Sequence, residues 1–199
     1  MWSMLIRAMS PSYQIVALAA SAGGLKALTD VLAALPADFP AALAVVQHLD
    51  PRHRSLMADI LGKRTQLQVK EAREGDKLEP GQALVAPPNR HLLVNSDGTV
   101  SLSQSELVHF VRPSADLLFE STAASYRDRA IAVVLSGSGR DGSMGVRAIK
   151  KMGGTVIVQD ARTAEFFGMP GAAQQTGMVD FILPLNEIAP ALQTLVKSK

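Results

Sequence analysis

The sequence of 199 residues contains no cysteine. A disulfide framework, a thiolate metal site and a cysteine nucleophile are therefore excluded, and covalent catalysis needs another side chain. No stretch reaches the roughly 18 uncharged apolar residues of a membrane-spanning helix, so we expect a cytoplasmic protein that is not inserted in a membrane. A large excess of positive charge is also lacking, because 20 Lys and Arg against 18 Asp and Glu leave a formal net charge of +2. We accordingly expect no nucleic acid as a partner.

The composition that remains is that of a folded domain. Hydrophobic residues make up 47% of the chain and charged residues 19%, which excludes a disordered chain and a long coiled coil. The apolar patch at the start of the chain is short and interrupted, and Pro11 follows it, so we interpret residues 1–14 as a disordered leader. Residues 15–199 have a length that suits one compact α/β domain.

Buried strands alternate with amphipathic helical segments along the chain. The run Ile15–Ala20 is apolar without alternation, which is typical of a strand buried on both faces of a parallel sheet. Apolar residues at helical spacing follow over 25–35, and the same order of strand and helix returns at 41–61 and after 131. We therefore predict an α/β fold with a doubly wound, mostly parallel sheet and helices on both faces.

Three local features complete the outline. In the middle of the chain only short β-like pieces occur, and Asp97-Gly98 between two of them predicts one antiparallel β-hairpin excursion. Ser114 precedes a helical pattern and is predicted to be its N-cap. The segment 167–170 is predicted to lie in a loop before the last helix.

Side chains that can take part in catalysis follow three of the predicted strands. Ser21 comes after the first strand, His48 after the second, and Asp141 lies in the loop 136–142 after a late strand. Ligands bind outside the carboxyl ends of the strands in an open α/β sheet, so we expect these three side chains to meet there. They have the composition of a hydrolytic triad, with Ser21 as nucleophile, His48 as general base and Asp141 as the group that orients the imidazole.

The two glycines after Ser21 fit the same interpretation. Gly23 and Gly24 lie at a helix start, where free main-chain amides can stabilise an oxyanion. The order Ser, His, Asp differs from that of the α/β-hydrolases, and the Gly-x-Ser-x-Gly motif is missing, so that superfamily is excluded.

Each triad candidate also has an alternative role. Ser21 can be a helix cap, worth about 1 kcal/mol, and Asp141 can simply favour the dipole of the helix that follows it. His48 can be an ordinary loop histidine. Together with His53 it matches no metal-ligand spacing, and we expect no metal. The three placements together favour the triad.

A different function is suggested by the loop after the late strand. Residues 137–142 match Gly-x-Gly-x-x-Gly, with Gly137, Gly139 and Gly142 as the glycines and Asp160 at the end of the next strand. This is the fingerprint of a dinucleotide-binding domain. Two observations oppose it: too little chain follows to complete such a domain, and Asp141 would face the pyrophosphate with like charge.

Six stretches of the sequence carry a family likeness. They are Ala-Ala-Ser-Ala-Gly-Gly at 19–24, Val-Val-Gln-His at 45–48, Val-Ala-Pro-Pro-Asn-Arg-His at 85–91, Arg-Pro-Ser-Ala-Asp-Leu-Leu-Phe at 112–119, Ser-Gly-Ser-Gly-Arg-Asp-Gly at 136–142 and Phe-Gly-Met-Pro at 167–170. Together they closely resemble the catalytic domain of the chemotaxis protein-glutamate methylesterases (CheB-type). The likeness runs in order from about residue 15 to the end of the chain.

The resemblance implies an enzyme that hydrolyses γ-glutamyl methyl esters on the cytoplasmic helical domain of methyl-accepting chemoreceptors. Methanol is released, and specific glutamines are often deamidated as well. The family's nucleophile, base and carboxylate map onto Ser21, His48 and Asp141. The resemblance implies no organic cofactor and no metal.

The sequence departs from the family's pattern at three points. Ala22 stands where the family often has threonine, and Ser138 stands where its best-known members have methionine. If position 138 contributes its main-chain amide to the oxyanion hole, the second change is tolerable. The usual N-terminal receiver domain has no room before the first strand, so we expect no control by phosphorylation within this chain.

Regulation and docking are left open by the sequence. A constitutive esterase, regulation by a receiver protein in trans, and a catalytic piece of a longer protein all fit the chain. A catalytically idle docking module for receptor helices is a third class of function, against which the complete triad argues. We expect Arg52, Arg54 and Arg140 to lie around the cleft and attract acidic receptor helices.

Overall fold

The computed structural model describes residues 14–48 and 55–197. Residues 1–13 of the predicted leader 1–14 lie outside this part of the chain, as do the predicted docking residues Arg52 and Arg54. The strands are β1 (Ile15–Ala20), β2 (Ala42–Gln47), β3 (Gln68–Glu71), β4 (Gln82–Val85), β5 (His91–Val94), β6 (Val100–Ser103), β7 (Ala130–Val134), β8 (Thr155–Gln159) and β9 (Phe181–Leu183). The helices are α1 (Gly24–Ala33), α2 (Met57–Gly62), α3 (Ala115–Tyr126), α4 (Ser143–Lys151), α5 (Gly168–Gln175) and α6 (Leu185–Lys197).

Seven of the strands form one parallel sheet in the order β3-β4-β2-β1-β7-β8-β9. Strands β2, β4 and β3 lie on one side of β1, and β7, β8 and β9 follow in chain order on the other side. The strand order therefore reverses between β1 and β7, which is where an open α/β sheet forms a crevice at its carboxyl edge. The remaining strands, β5 and β6, pair antiparallel as a separate hairpin, so the predicted fold class is confirmed.

The central strands β4, β2, β1, β7 and β8 are buried on both faces, and their side chains contribute to two separate core layers. Val16 and Leu18 of β1 belong to the layer that packs against α1, α2 and α6. Ala17 and Ala19 belong to the opposite layer, which packs against α3, α4, α5 and the hairpin. Because the side chains of Ala17 and Ala19 are small, α3 lies directly over β1, and its first turn reaches the carboxyl edge of the sheet.

One of the predicted local features differs from the structure. The segment 167–170 is not wholly a loop, because α5 begins at Gly168. Pro170 falls in the first turn of that helix, where its missing amide hydrogen is not needed, so it is compatible with a helix start. The predicted hairpin turn at Asp97-Gly98 and the N-cap at Ser114 are confirmed, since Ser114 accepts a hydrogen bond from the Leu117 amide.

Candidate active site

Ser21 lies at the reversal point of the sheet, between the ends of the two neighbouring strands. On one side the His48 amide donates to the carbonyl of Ala20 at 3.1 Å. On the other side the Ser21 amide donates to the carbonyl of Ser136 at 3.0 Å. Adjacent parallel strands are about 4.8 Å apart, so the main chains of Ser21 and His48 are neighbours at this edge.

His48 and Asp141 form a direct pair. Nε2 of His48 lies 2.8 Å from Oδ2 of Asp141, and the two side chains are 12% and 3% exposed. The carboxylate accepts the Nε2–H hydrogen, which leaves Nδ1 of His48 as the ring nitrogen with a free lone pair. Residues 93 positions apart in sequence are thus brought into contact by the fold, as the sequence predicted for this pair.

The Asp141 carboxylate is held by the beginning of α3. Oδ1 accepts the Ser114 hydroxyl at 2.8 Å and the Asp116 amide at 3.1 Å, and Oδ2 accepts the Ala115 amide at 2.6 Å. Asp141 therefore does not act on the dipole of its own following helix α4, which was the alternative from sequence. It is the anion at the N-terminus of α3.

These contacts decide the charge state of Asp141. Burial by itself raises the pKa of this carboxyl, because the charged form is desolvated. Hydrogen bonds from His48 and from the Ala115 and Asp116 amides oppose that effect and outweigh it, so the net pKa is lowered below the ordinary value of 3.8. Asp141 is therefore ionised at neutral pH and can stabilise a protonated imidazole.

Ser21 does not have the alternative role of a helix cap. The N-cap of α1 is Gly23, and no side chain caps that helix. Within residues 14–48 and 55–197 the Ser21 hydroxyl makes no hydrogen bond, to His48 or to any other group. The structure thus places the main chain of Ser21 next to that of His48, and the Ser21 hydroxyl has no hydrogen-bond partner in the described part of the chain.

The loop after Ser21 requires glycine at position 23. Gly23 has a φ of +72°, a left-handed conformation, and a Cβ there would lie 2.7 Å from the Ser136 hydroxyl oxygen. That hydroxyl donates to the carbonyl of Ala22 at 2.8 Å and accepts the Phe166 amide at 3.0 Å. Ser136 thereby fixes the loop 21–24 against the end of β7.

Gln47 is a site residue that the sequence analysis missed. Its Nε2 donates to the carbonyl of Ser21 at 2.7 Å and to the carbonyl of His48 at 3.0 Å. The carboxamide therefore joins the serine loop to the histidine loop. Its Oε1 is buried and has no partner among the described residues. The available signal was a glutamine at the end of an otherwise apolar, fully buried strand, where a polar side chain needs a partner.

The predicted oxyanion donors divide into two groups. The Gly24 amide donates to the carbonyl of Ser21 at 2.8 Å and is not free, contrary to the expectation for that residue. The amides of Ala22, Gly23 and Ser138 have no acceptor in the described part of the chain. Ser138 is exposed in the loop between β7 and α4. These three amides remain as candidate donors.

Contacts between further stretches of the resemblance support the site: 85–91 contacts 112–119, and 136–142 contacts 167–170. The Asn89 side-chain oxygen accepts both Nε and Nη2 of Arg112, at 2.9 and 2.7 Å, which fixes the chain just before the α3 donors. Met169 lies directly against Gly137, where a Cβ would collide with its sulfur, and the same Cβ would lie 3.0 Å from that of Ser21. Only glycine at 137 allows this approach.

The dinucleotide interpretation of the loop 137–142 is wrong on physical grounds. Such a ligand would place its pyrophosphate at the N-terminus of α4. The Gly145 amide in the first turn of α4 already donates to Oδ1 of Asp116 at 2.8 Å, and Asp141 lies beside it. Two carboxylates therefore repel an anion there. Asp160 accepts hydrogen bonds from Thr163 and Arg162 of its own loop and is engaged.

A cavity of about 690 Å³ adjoins Ser21 on the side of α1 and α2. Apolar side chains on its wall are Leu25, Met57 and Ile60, and charged ones include Lys26 and Arg64. Arg140, predicted to lie at the cleft, is exposed in the loop that carries Asp141. The cavity is open, so a side chain of a large partner can reach Ser21 from outside.

In the ranges 14–48 and 55–197, no three His, Asp or Glu side chains come together as a metal-binding group. No helix of those ranges is long and apolar enough to cross a bilayer.

The fold and the site together define a doubly wound α/β domain with a buried histidine–aspartate pair at its reversal point. The profile of the CheB methylesterase family matches residues 16–192, almost the whole chain. This chain belongs to the CheB methylesterase family.

Individual relatives agree. A protein of Moorella thermoacetica named protein-glutamate methylesterase/protein-glutamine glutaminase is 42% identical over 94% of this chain, which corresponds to 45% of that protein. A Leptospira interrogans protein with the same name, qualified as putative, is 40% identical over 89% of this chain and 92% of its own length. The crystal structure of the Thermotoga maritima CheB methylesterase catalytic domain superposes with a TM-score of 0.89 at 37% identity, covering 94% of this chain and 100% of that one. The chain thus spans about half the length of several curated relatives it matches.

Proposed function

We propose that this chain is a protein-glutamate methylesterase with a Ser21–His48–Asp141 triad. The substrate is a γ-glutamyl methyl ester on the helical cytoplasmic domain of a methyl-accepting chemoreceptor, and methanol is the product released. The observation that carries the proposal is the 2.8 Å bond between His48 and an ionised Asp141, formed beside a serine that caps no helix.

In the first half of the reaction, the Ser21 hydroxyl attacks the ester carbonyl carbon. Its proton passes to Nδ1 of His48, the nitrogen that Asp141 leaves free. The imidazolium is stabilised by the Asp141 carboxylate. The oxygen of the tetrahedral intermediate takes hydrogen bonds from the free amides of Ala22 and Ser138. Collapse breaks the bond to the methoxy group, which leaves as methanol with the proton from His48.

In the second half, water attacks the glutamyl ester of Ser21. His48 accepts a proton from that water, the bond from carbon to Oγ breaks, and Ser21 regains its proton. The product is the free glutamate side chain. With a glutamine side chain, the same steps release ammonia in place of methanol, which is the deamidation named for the relatives.

The proposal is tested by methanol release from a methylated chemoreceptor fragment. We expect Ser21→Ala to lower kcat by several powers of ten, up to about a millionfold, as for a triad serine elsewhere. A matched control is Ser125→Ala, because its hydroxyl donates to the Val94 carbonyl at 2.9 Å and supports only the hairpin. That variant should lose some stability and keep its turnover. More than a tenth of the wild-type rate in Ser21→Ala would contradict the proposed triad.

A further inference from the structure

A tight turn beside the active site has an unusual sequence. Val108 and Val111 pair through two main-chain hydrogen bonds of 2.9 and 3.2 Å, which leaves His109 and Phe110 as the two central residues. Both have positive φ, +49° and +64°. Turns of this geometry favour Asn-Gly, because bulky side chains are strained in the left-handed region. Such strain persists at sites where a particular presentation of a side chain is needed.

The side chain presented is Phe110, which is 94% exposed. An aromatic ring left in water contributes nothing to the core of this chain. The backbone conformation at both central positions of the turn would suit glycine or asparagine better than histidine or phenylalanine. Strain and exposure at the same residue are more informative than either alone.

Hydrogen bonds connect the turn to the catalytic pair. Nε2 of His109 lies 3.1 Å from Oδ2 of Asp116. The amide of Asp116 donates in turn to Oδ1 of Asp141, again at 3.1 Å. His109 thus anchors the turn to the first residues of α3, the same residues that hold Asp141.

Ser21 has a second apolar border on the opposite face of the sheet. Leu25 of α1 and Ile60 of α2 are exposed on the wall of the cavity beside it. Helices α1 and α2 pack on one face of the sheet, whereas α3, which holds the turn, packs on the other. The carboxyl edge of the sheet at Ser21 therefore lies between exposed Phe110 on one face and exposed Leu25 and Ile60 on the other.

We propose that the 108–111 turn is a docking element for the ester-bearing helical protein, with Phe110 as its apolar anchor. This inference rests on the proposed function and adds a contact surface to it. A helix that lies across the carboxyl edge contacts Phe110 with one part of its surface and the Leu25 and Ile60 border with another. Its ester-bearing side chain then reaches down to Ser21. A small ester makes neither contact.

The test separates docking from chemistry. Phe110→Asn removes the ring and introduces a residue that tolerates the left-handed conformation, so the turn should be retained. Met152→Ser is the matched control, because Met152 is also an exposed apolar residue but lies beyond the far end of α4, about 13 Å along that helix. Both changes are made in the wild type and in Ser21→Ala, and the probe is a methylated chemoreceptor cytoplasmic fragment.

In the Ser21→Ala background, binding of the fragment is measured without turnover. We expect Phe110→Asn to weaken the Kd about tenfold, Met152→Ser to leave it unchanged, and Phe110→Leu to recover most of the affinity. In the active background, KM for the fragment should rise about tenfold while hydrolysis of a small glutamyl methyl ester keeps its rate.

Unchanged binding of the fragment by Phe110→Asn would overturn the inference. An equal loss of rate on the fragment and on the small ester would also overturn it, since the turn would then only support Asp116 and Asp141. If the wild type released no methanol from either ester, the proposed function would fail, and the binding measurement would still decide the inference.

Discussion

Two histidine–aspartate pairs lie at the start of α3. They consist of the same two residue types but have different surroundings. His48 and Asp141 are 2.8 Å apart, and His109 and Asp116 are 3.1 Å apart. In the first pair the histidine is nearly buried at the end of a strand. In the second it is 36% exposed on a strained turn.

The aspartates of the two pairs have opposite pKa shifts. Burial raises the pKa of both carboxyls. In Asp141 that effect is outweighed by the hydrogen bonds from His48, Ala115 and Asp116, and the net pKa is lowered. In Asp116 burial prevails, although the Gly145 amide opposes it, and the charge of Asp141 raises the pKa further.

The comparison shows that contact between a histidine and an aspartate does not by itself make a catalytic pair. The donors around the carboxylate decide whether it stays ionised and can stabilise an imidazolium. Asp141 receives the hydroxyl of Ser114 and two amides of α3, whereas Asp116 serves to close the N-terminus of α4 and to anchor the turn.

A pair of isosteric substitutions, one at each aspartate, distinguishes the roles of Asp141 and Asp116. We expect Asp141→Asn to lower kcat for methanol release by about ten-thousandfold, because an amide favours the wrong imidazole tautomer. Asp116→Asn should keep kcat on a small ester within about tenfold, since Asp116 contacts Asp141 only through its main-chain amide. Steady-state kinetics on one small glutamyl ester checks both. Equal losses in the two variants would contradict the division of roles.

A smaller effect is expected at Gln47, which ties the serine loop to the histidine loop. Gln47→Leu should lower kcat by about a hundredfold, because loss of both hydrogen bonds lets the two loops shift by a fraction of an ångström or more. Gln82 offers a matched control, since it is also buried and its Oε1 also has no partner among the described residues. It lies at the start of β4, at the amino end of the sheet. Gln82→Leu should leave kcat unchanged. Similar losses in both would mean that Gln47 acts through stability alone.

The smallest effect concerns stability against pH, and the two aspartates should differ in sign. The folded-state pKa of Asp141 is lowered, so its stabilisation is present above the unfolded value near 3.8 and is lost as pH falls through the folded value. For Asp116 the folded-state pKa is raised, so its contribution to stability declines as pH rises from 3.8 through the folded value.

Urea unfolding of the wild type and the two asparagine variants, from about pH 3 to about pH 7, measures this difference. The deficit of Asp141→Asn relative to wild type should grow as pH rises, and that of Asp116→Asn should shrink. Parallel profiles in the two variants would show that both carboxyls have the same environment.

The sequence predicted the main sheet because its central strands are continuous apolar runs, and it predicted the meeting of His48 and Asp141 because parallel strands share one carboxyl edge. It missed β3 and β9, since β3 is a polar edge strand and β9 has only three residues. It missed Gln47 and the role of Ser114 toward Asp141, because a hydrogen bond between distant segments leaves no periodic pattern in the chain.

The same limit applies to the turn at Phe110. A His-Phe pair has none of the usual turn chemistry, so positive φ at both residues is not predictable from local sequence. The alternative dinucleotide function, by contrast, followed a genuine local motif. It failed because Asp116, far away in sequence, occupies the helix terminus that the motif needs.

The most direct test of the triad is a double-substitution cycle on Ser21 and His48. Methanol release from a glutamyl methyl ester is measured for Ser21→Ala, His48→Gln and the double variant. If the two side chains act as one unit, each single substitution lowers kcat by several powers of ten and the double variant is no slower than the slower single one. Losses that multiply, or a His48→Gln protein that keeps more than about a tenth of the rate, would contradict the account.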